Sequence, residues 1–136
     1  MKLDDKDKQI LSMLKENARI NNTEIAKKIA LTEGAIRHRI AMLVKSGVIR
    51  KFTIESSSEN ETFGVVLIKT KGDIKKAMHD VAALKLANEI YEISGEFDGC
   101  AVMEASSLES LDKKIDEIRK LKNIADTKTF ISLKKW

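Results

Sequence analysis

Three residues suited to start a helix, Asp4, Asn21 and Thr32, are each followed by an apolar pattern at helical spacing. Behind Asp4 come Ile10, Leu11 and Leu14. Behind Asn21 come Ile25, Ala26 and Ile29, and behind Thr32 come Ile36, Ile40, Leu43 and Val44. The second helix has room for about two turns before Leu31 and Thr32. Asn21 with Glu24 has the spacing of a capping box. Asp4, Asp5 and Asp7 lie where the positive end of a helix dipole favours acids, and no calcium-loop pattern follows them. Ser46 and Gly47 close the third helix, with glycine suited to the left-handed residue past its end. Val48 to Ile54 then reads as a strand or wing. Helices this close, joined by one tight turn, imply a helix-turn-helix unit.

The charge pattern gives the third helix a second face. From Gly34 to Ile54 the formal charges are Arg37, Arg39, Lys45, Arg50 and Lys51, with no Asp or Glu, in a chain that is 34% charged. At about 100° per residue, Ile36 and Ile40 centre the apolar side. Gly34, Ala35, His38, Ala41, Met42 and Lys45 fall opposite, with Arg37 and Arg39 at the flanks. Small side chains edged by long cations suit a helix that enters a DNA groove. An acid in that window would face phosphate. Residues 1–60 hold 12 Lys and Arg against 8 Asp and Glu, so the whole net charge of +4 lies in this part. A polyanion partner for one half of the chain follows. His38 has no second ligand at metal-binding spacing.

Residues 55–62 are polar throughout and read as a linker between a domain at 1–54 and another at 63–136. Phe63 to Thr70 is a buried strand. Asp73 caps a helix with Ile74, Ala77, Met78, Val81 and Leu84 on one face. Ile90 to Ser94 and Cys100 to Ala105 form a hairpin about the turn Gly95-Glu96-Phe97-Asp98-Gly99. Ser106 with Glu109 is a second possible capping box. It opens a helix carrying Leu108, Leu111, Ile115, Ile118 and Leu121, whose last turn has Arg119, Lys120 and Lys122 to complement the dipole. Asp126 to Leu133 is a fourth strand, with Thr127, Thr129, Ile131 and Leu133 on one face. The order β-α-β-β-α-β is the ferredoxin-like split arrangement. The fold class is therefore α+β. Two helices cover one face of such a sheet, and pairing of two copies would hide the other. A homodimer would carry two groove-entering helices, suited to a pseudo-palindromic double-stranded DNA site with half-sites about 34 Å apart.

Several classes are excluded or disfavoured. Cys100 is the one cysteine, so no internal disulfide framework exists. The polar start MKLDDKDKQI is not a signal peptide, and no apolar run approaches the ~18 residues of a membrane span. These features point to a cytoplasmic protein with no membrane partner. His38, His79 and Cys100 fall in separate elements, and no nucleophile motif or phosphate loop occurs, so an enzyme is not expected. No cofactor or metal is expected. An architectural DNA-binding protein without an effector is the alternative to a sequence-specific regulator.

The residues resemble the Lrp/AsnC, or feast/famine, family of transcriptional regulators over nearly the whole chain. Leu3-Asp4, Asp7, Ile10-Leu11, Leu14 and Ala18-Arg19 resemble the family's opening helix. Glu24-Ile25-Ala26, Leu31-Thr32, Ile36, Arg39-Ile40, Leu43 and Ser46 to Ile49 resemble its helix-turn-helix and wing entry. Gly95-Glu96-Phe97-Asp98 resembles the glycine-x-x-aspartate signature of its effector domain, and Asp126 to Thr129 the threonine-bearing start of its last strand. The resemblance implies a DNA-binding regulator whose C-terminal domain dimerises through its sheet and assembles into larger rings or filaments. DNA contacts are expected from Thr32, Gly34, Ala35, Arg37, His38, Arg39, Met42, Lys45, Arg50 and Lys51. An amino-acid effector is expected at Gly95, Glu96, Phe97, Asp98 and Gly99, with Thr127 and Thr129. Backbone N–H groups of the turn would receive its carboxylate, and Glu96 or Asp98 its ammonium. The alternative is that Asp98 only closes the hairpin by bonding to backbone. Those two acids would favour a cationic ligand such as lysine or arginine. The chain departs from the family at Ala30, where glycine is common, and at Val44, where an acid is common and the apolar face is lengthened. It also departs at Gly99, where a larger residue is usual and space would open beside the turn.

Overall fold

The three capped segments form α1 (Asp5–Glu16), α2 (Asn22–Ile29) and α3 (Glu33–Lys45) in a computed structural model that describes residues 1–56 and 61–136. Each helix starts where a side-chain oxygen meets free N–H groups. Asp4 accepts from the Asp7 N–H, Asn21 from Glu24 and Thr32 from Ala35. Asp7 returns the bond to the Asp4 N–H at 3.1 Å, which completes a capping box on α1. Ile10, Ile25, Ala26, Ile29, Ile36 and Leu43 are buried together as this unit's core. Val44, expected on the same face, is exposed instead. It lies about 80° around the helix from Ile36, whereas Leu43 lies about 20° away.

The joint between α2 and α3 depends on one residue. Ala30 adopts φ +53°, and the Leu31 N–H then reaches the Ala26 carbonyl at 3.0 Å. Gly47 plays the corresponding part after α3 at φ +75°, where the residue type suits the conformation. Residues 48–54 follow as an extension that is exposed except at Ile49, which packs against the core and donates its N–H to the Leu43 carbonyl. They form no strand, because no other segment of this unit offers an edge to pair with.

The chain divides into two compact units, residues 1–57 and 58–136. Of the linker expected at 55–62, residues 57–60 lie outside the described ones. Thr62, also assigned to it, is instead the first residue of β1, because it pairs with Ala105. The second unit runs β1 (Thr62–Thr70), α4 (Ile74–Ala83), β2 (Glu89–Glu92), β3 (Gly99–Ala105), α5 (Leu108–Arg119) and β4 (Ile124–Ile131). The antiparallel sheet has the order β2-β3-β1-β4. β4 stops at Ile131, short of the expected Leu133; the Ser132 N–H still donates to the Phe63 carbonyl at 2.8 Å, but Leu133 beyond it is fully exposed. The cap of α5 is Ser107, donor-matched to the Ser110 N–H, rather than Ser106.

Both helices lie on one face of this sheet. Val66, Ile68, Ala101 and Met103 meet Ala77, Val81, Leu111, Ile115 and Ile118 there. Leu111 packs so closely on Gly64 that a Cβ at that position would lie 2.9 Å from its Cδ2. On the opposite face, register aligns Val65 with Val102 and Phe130, and Leu67 with Cys100 and Lys128. These side chains are covered by no element among the described residues.

Ala30 holds a left-handed conformation that costs a Cβ-bearing residue roughly 1–2 kcal/mol. Ala30→Gly should therefore raise the stability of the N-terminal unit by up to about 1 kcal/mol, read as a higher urea midpoint at unchanged slope.

Candidate functional site

The exposed side of α3 is the one the helical wheel outlines. Gly34, His38, Ala41, Met42 and Lys45 are exposed, and Ala35 is half-buried. Arg37 is exposed at the edge of this face and pairs with Glu33 one turn back. An exposed pair of this kind contributes little and leaves the guanidinium available. Thr32 is exposed too, although its hydroxyl accepts the capping bond from Ala35. Arg50 and Lys51 are exposed on the extension that follows.

Arg39, expected among the DNA contacts, is engaged within the N-terminal unit. Its Nη1 donates to Asp4 Oδ2 and to Asp7 Oδ1, both at 2.7 Å. Asp7 is buried, the one charged side chain in that state among the described residues. The bond from the Asp7 N–H and then the Arg39 guanidinium hold the Asp4 carboxyl below its ordinary 3.8. Hydrogen bonds from Arg39 to Asp4 and Asp7 raise the guanidinium in turn. The guanidinium is thus bonded within the unit rather than left free on the exposed face.

The turn between β2 and β3 is tied to the end of β1. The Asp98 N–H donates to the Ile68 carbonyl, and the Asp98 carbonyl accepts from the Ile93 N–H. Asp98 Oδ2 accepts from the Thr70 N–H at 2.8 Å and from its hydroxyl at 2.9 Å. The backbone bond is the larger cause, and the Thr70 hydroxyl the next, that lowers the Asp98 carboxyl below its ordinary value. Asp98 thus has the hairpin-anchoring role, on β1 rather than within its own turn. Lys69 Nζ donates to the Glu96 carbonyl at 2.6 Å. Gly95 and Glu96 are exposed, and Phe97 is half-buried. Gly99 is buried, and it opens no space. A Cβ built on it would lie 2.5 Å from the Met78 sulfur, so the Met78 side chain occupies the place. This removes Gly99 from the surface a ligand could reach.

Thr127 and Thr129 face the helix layer, opposite Ile68 and Val66 across the β1–β4 ladder. Thr127 Oγ1 accepts from Arg119 Nε at 3.0 Å. Thr129 Oγ1 is buried and has no hydrogen-bond partner. It lines a 420 Å³ cleft between α5 and β4, with Leu108, Glu109, Asp112, Ile115 and Arg119. Arg119 Nη1 also lies 2.9 Å from Asp116 and 3.7 Å from Asp112. The cleft therefore holds a cation, carboxylates, an unpaired hydroxyl and an apolar wall, which are the groups an amino acid needs. The turn residues do not line it. Turn and cleft approach one another only through the end of β1, where Asp98 bonds to Ile68 and Thr70 while Thr127 lies opposite Ile68. Sequence reasoning treated Arg119 as dipole compensation and missed Asp112. The spacing of Asp112, Asp116 and Arg119 by four and three puts them on one helix face, and that signal was available.

Among the described residues no cluster of His, Cys, Asp or Glu could hold a metal ion, and no helix is long and apolar enough to cross a membrane.

A helix-turn-helix unit of three helices followed by a split β-α-β-β-α-β sheet defines the class of two-domain DNA-binding regulators. Comparison with known proteins agrees. Residues 3–50 match a family model described as winged helix-turn-helix DNA-binding, and residues 64–136 match the Lrp/AsnC ligand binding domain. The HTH-type transcriptional regulator LysM of Sulfurisphaera tokodaii is 36% identical over 136 residues, covering 98% of this chain and 97% of its own. The structure of E. coli AsnC superposes with a TM-score of 0.75 at 24% identity, covering 99% of this chain and 95% of that one. A feast or famine regulatory protein from M. tuberculosis complexed with L-methionine has a TM-score of 0.81 at 21% identity, covering 99% and 95%. The chain belongs to the Lrp/AsnC family of transcriptional regulators. It is a DNA-binding regulator with a ligand-binding domain, not an enzyme.

A carboxyl lowered in the folded state stabilises above its unfolded value, and that contribution is lost as pH falls through the folded one. Asp98 therefore adds stability at neutral pH that disappears in acid below 3.8. Asp98→Asn should destabilise the protein at pH 7 and match the parent progressively more closely as the pH falls below 3.8, measured by urea unfolding.

Proposed function

We propose that the protein binds a pseudo-palindromic DNA site as a homodimer, reads it with α3, and responds to a small amino-acid effector. The observation that carries the DNA reading is the exposed face of α3. Gly34 and Ala41 keep part of it shallow, His38 and Met42 stand out from it, and Arg37 and Lys45 extend from its edges. Such a face lets the helix axis approach the major-groove floor while the cations reach base edges or phosphates. Ala35 is partly covered and adds apolar contact. Thr32 at the N-cap, with Arg50 and Lys51 beyond the helix, serves phosphate. The bare sheet face with Val65, Leu67, Val102 and Phe130 supports the dimer, since burying it removes apolar surface that two helices leave uncovered. Larger assemblies of such dimers belong to the same reading.

The effector reading rests on the cleft and the turn. Arg119 and the unpaired Thr129 hydroxyl suit a carboxylate, and Thr127 lies beside them. Asp112 and Glu109 suit an ammonium, while Leu108 and Ile115 suit an apolar stem. Gly95, Glu96 and Phe97 form the accessible part of the turn. With Asp98 Oδ2 bonded to Thr70, preference for a cationic ligand such as lysine or arginine rests on Glu96 and the α5 acids.

Two measurements test these assignments. Arg37→Ala should weaken specific DNA binding by about 1–3 kcal/mol and relax preference at one position if it reads a base. Lys51→Ala should weaken all sequences alike and reduce the salt slope by about one unit. Unchanged affinity and slope in both variants would remove α3 and its extension from the interface. A thermal-shift screen against the standard amino acids should yield a hit worth about 2.7 kcal/mol at a hundredfold excess over its dissociation constant. The shift should vanish in Thr129→Val. A blank screen would leave a DNA binder without an amino-acid effector.

A further inference from the structure

The reciprocal cap on α1 uses one oxygen of each carboxylate. Asp4 Oδ1 accepts from the Asp7 N–H and Asp7 Oδ2 from the Asp4 N–H. The remaining two oxygens, Asp4 Oδ2 and Asp7 Oδ1, converge on a single nitrogen, Arg39 Nη1, at 2.7 Å each. Three residues from two helices thus form one closed set of bonds. Asp7 is 5% exposed, and the Arg39 side chain 30%, so the pair is shielded from water and salt on its inner side. Arg39 lies in the middle of α3, on the flank between the buried Ile36 and Leu43 and the exposed His38 and Met42. A bond from that flank to α1 resists rotation of α3 about its own axis. Apolar packing alone resists it less, because it is not directional.

We propose that Arg39 is a positioning residue that sets the rotation of α3, held by the capping acids of α1, and that it reads neither base nor phosphate. The inference rests on the assignment of α3 to DNA made above. The bonding pattern also predicts which substitution is tolerated. Both carboxylates use one nitrogen, so a lysine ammonium can satisfy them. A bidentate contact to guanine is weakened by lysine, which lacks the planar fork. The acids give a test of opposite sign to simple electrostatics. Asp7→Asn makes the chain more positive, which alone tightens binding to any DNA. Loss of the positioning bond instead weakens binding to the preferred sequence.

The experiment uses the full chain and two probes, a duplex selected from a randomised pool by the parent protein and the unselected pool itself. Affinity is read by fluorescence anisotropy over a range of salt, with each variant assayed well below its own melting midpoint. A role in stability alone would then leave discrimination intact. Arg39→Lys should keep affinity for the selected duplex within about threefold. Arg39→Met and Asp7→Asn should each lose about tenfold on it, the equilibrium effect of one charge-assisted hydrogen bond, with an unchanged salt slope. Asp4→Asn removes one arm and leaves the buried one, and should fall between. A salt slope lowered by about one unit in Arg39→Met would show a phosphate contact and overturn the proposal. So would Arg39→Lys as weak as Arg39→Met, or full discrimination in both Asp4→Asn and Asp7→Asn. Arg37→Ala and Lys45→Ala on the same probes separate the two levels. Indifference there overturns the assignment of α3 to DNA. Sensitivity there with indifference at Asp4 and Asp7 overturns the positioning role alone.

Discussion

Burial of Ile36 and Leu43 against α1 and α2 governs what α3 can present to solvent. The two residues lie about two turns apart on one stripe of the helix, so the opposite stripe must point outward. That stripe carries no acid beyond Glu33 and mixes small residues, Gly34 and Ala41, with His38, Met42 and cations. Its shape and its charge then follow from the same packing. If the apolar stripe were displaced by one residue, Arg37 and His38 would turn toward the core. The cost of an unpaired buried charge would forbid it. The core of the small unit and its exposed face are therefore one constraint seen from two sides.

The second unit follows a similar logic with a different outcome. Two crossing helices can cover only one face of a four-stranded sheet, and Gly64 lets Leu111 sit close on that face. The other face keeps Val65, Leu67, Val102 and Phe130 uncovered by the chain itself. On the covered side, the edge strand β4 and the helix α5 do not close fully, and the cleft between them retains a hydroxyl with no partner. Buried polar groups usually find partners, and this hydroxyl, beside a guanidinium and carboxylates, is the feature on which the proposed effector site rests.

Much of this was legible in the residues. The caps at Asp4, Asn21 and Thr32, the β-α-β-β-α-β order and the exposed face of α3 could all be read from local chemistry and spacing, because each depends on neighbours within a turn or a strand. The errors occurred where distant residues meet. Arg39 looked free because Asp4 and Asp7 lie 35 and 32 positions away. Gly99 looked like open space because nothing local shows that Met78 fills it. Val44 looked like core because a run of apolar residues does not show where the stripe ends. Of the two readings of residues 48–54, strand or wing, the strand fails because β propensity describes a segment while a strand requires a partner; the match to a winged helix-turn-helix stands.

Sequence alone therefore determined the two-part organisation, the helix starts and the excess of cations in one half, since capping, periodicity and charge are properties of short stretches. Tertiary structure alone decided which arginine is available and which is held. It also decided which acid anchors a hairpin, and that Thr129, Arg119 and Asp112 share a cleft. Those outcomes depend on distances of a few ångströms between residues far apart in the chain. Electrostatic and hydrogen-bond energies change sharply over such distances, whereas one-dimensional patterns carry no record of them.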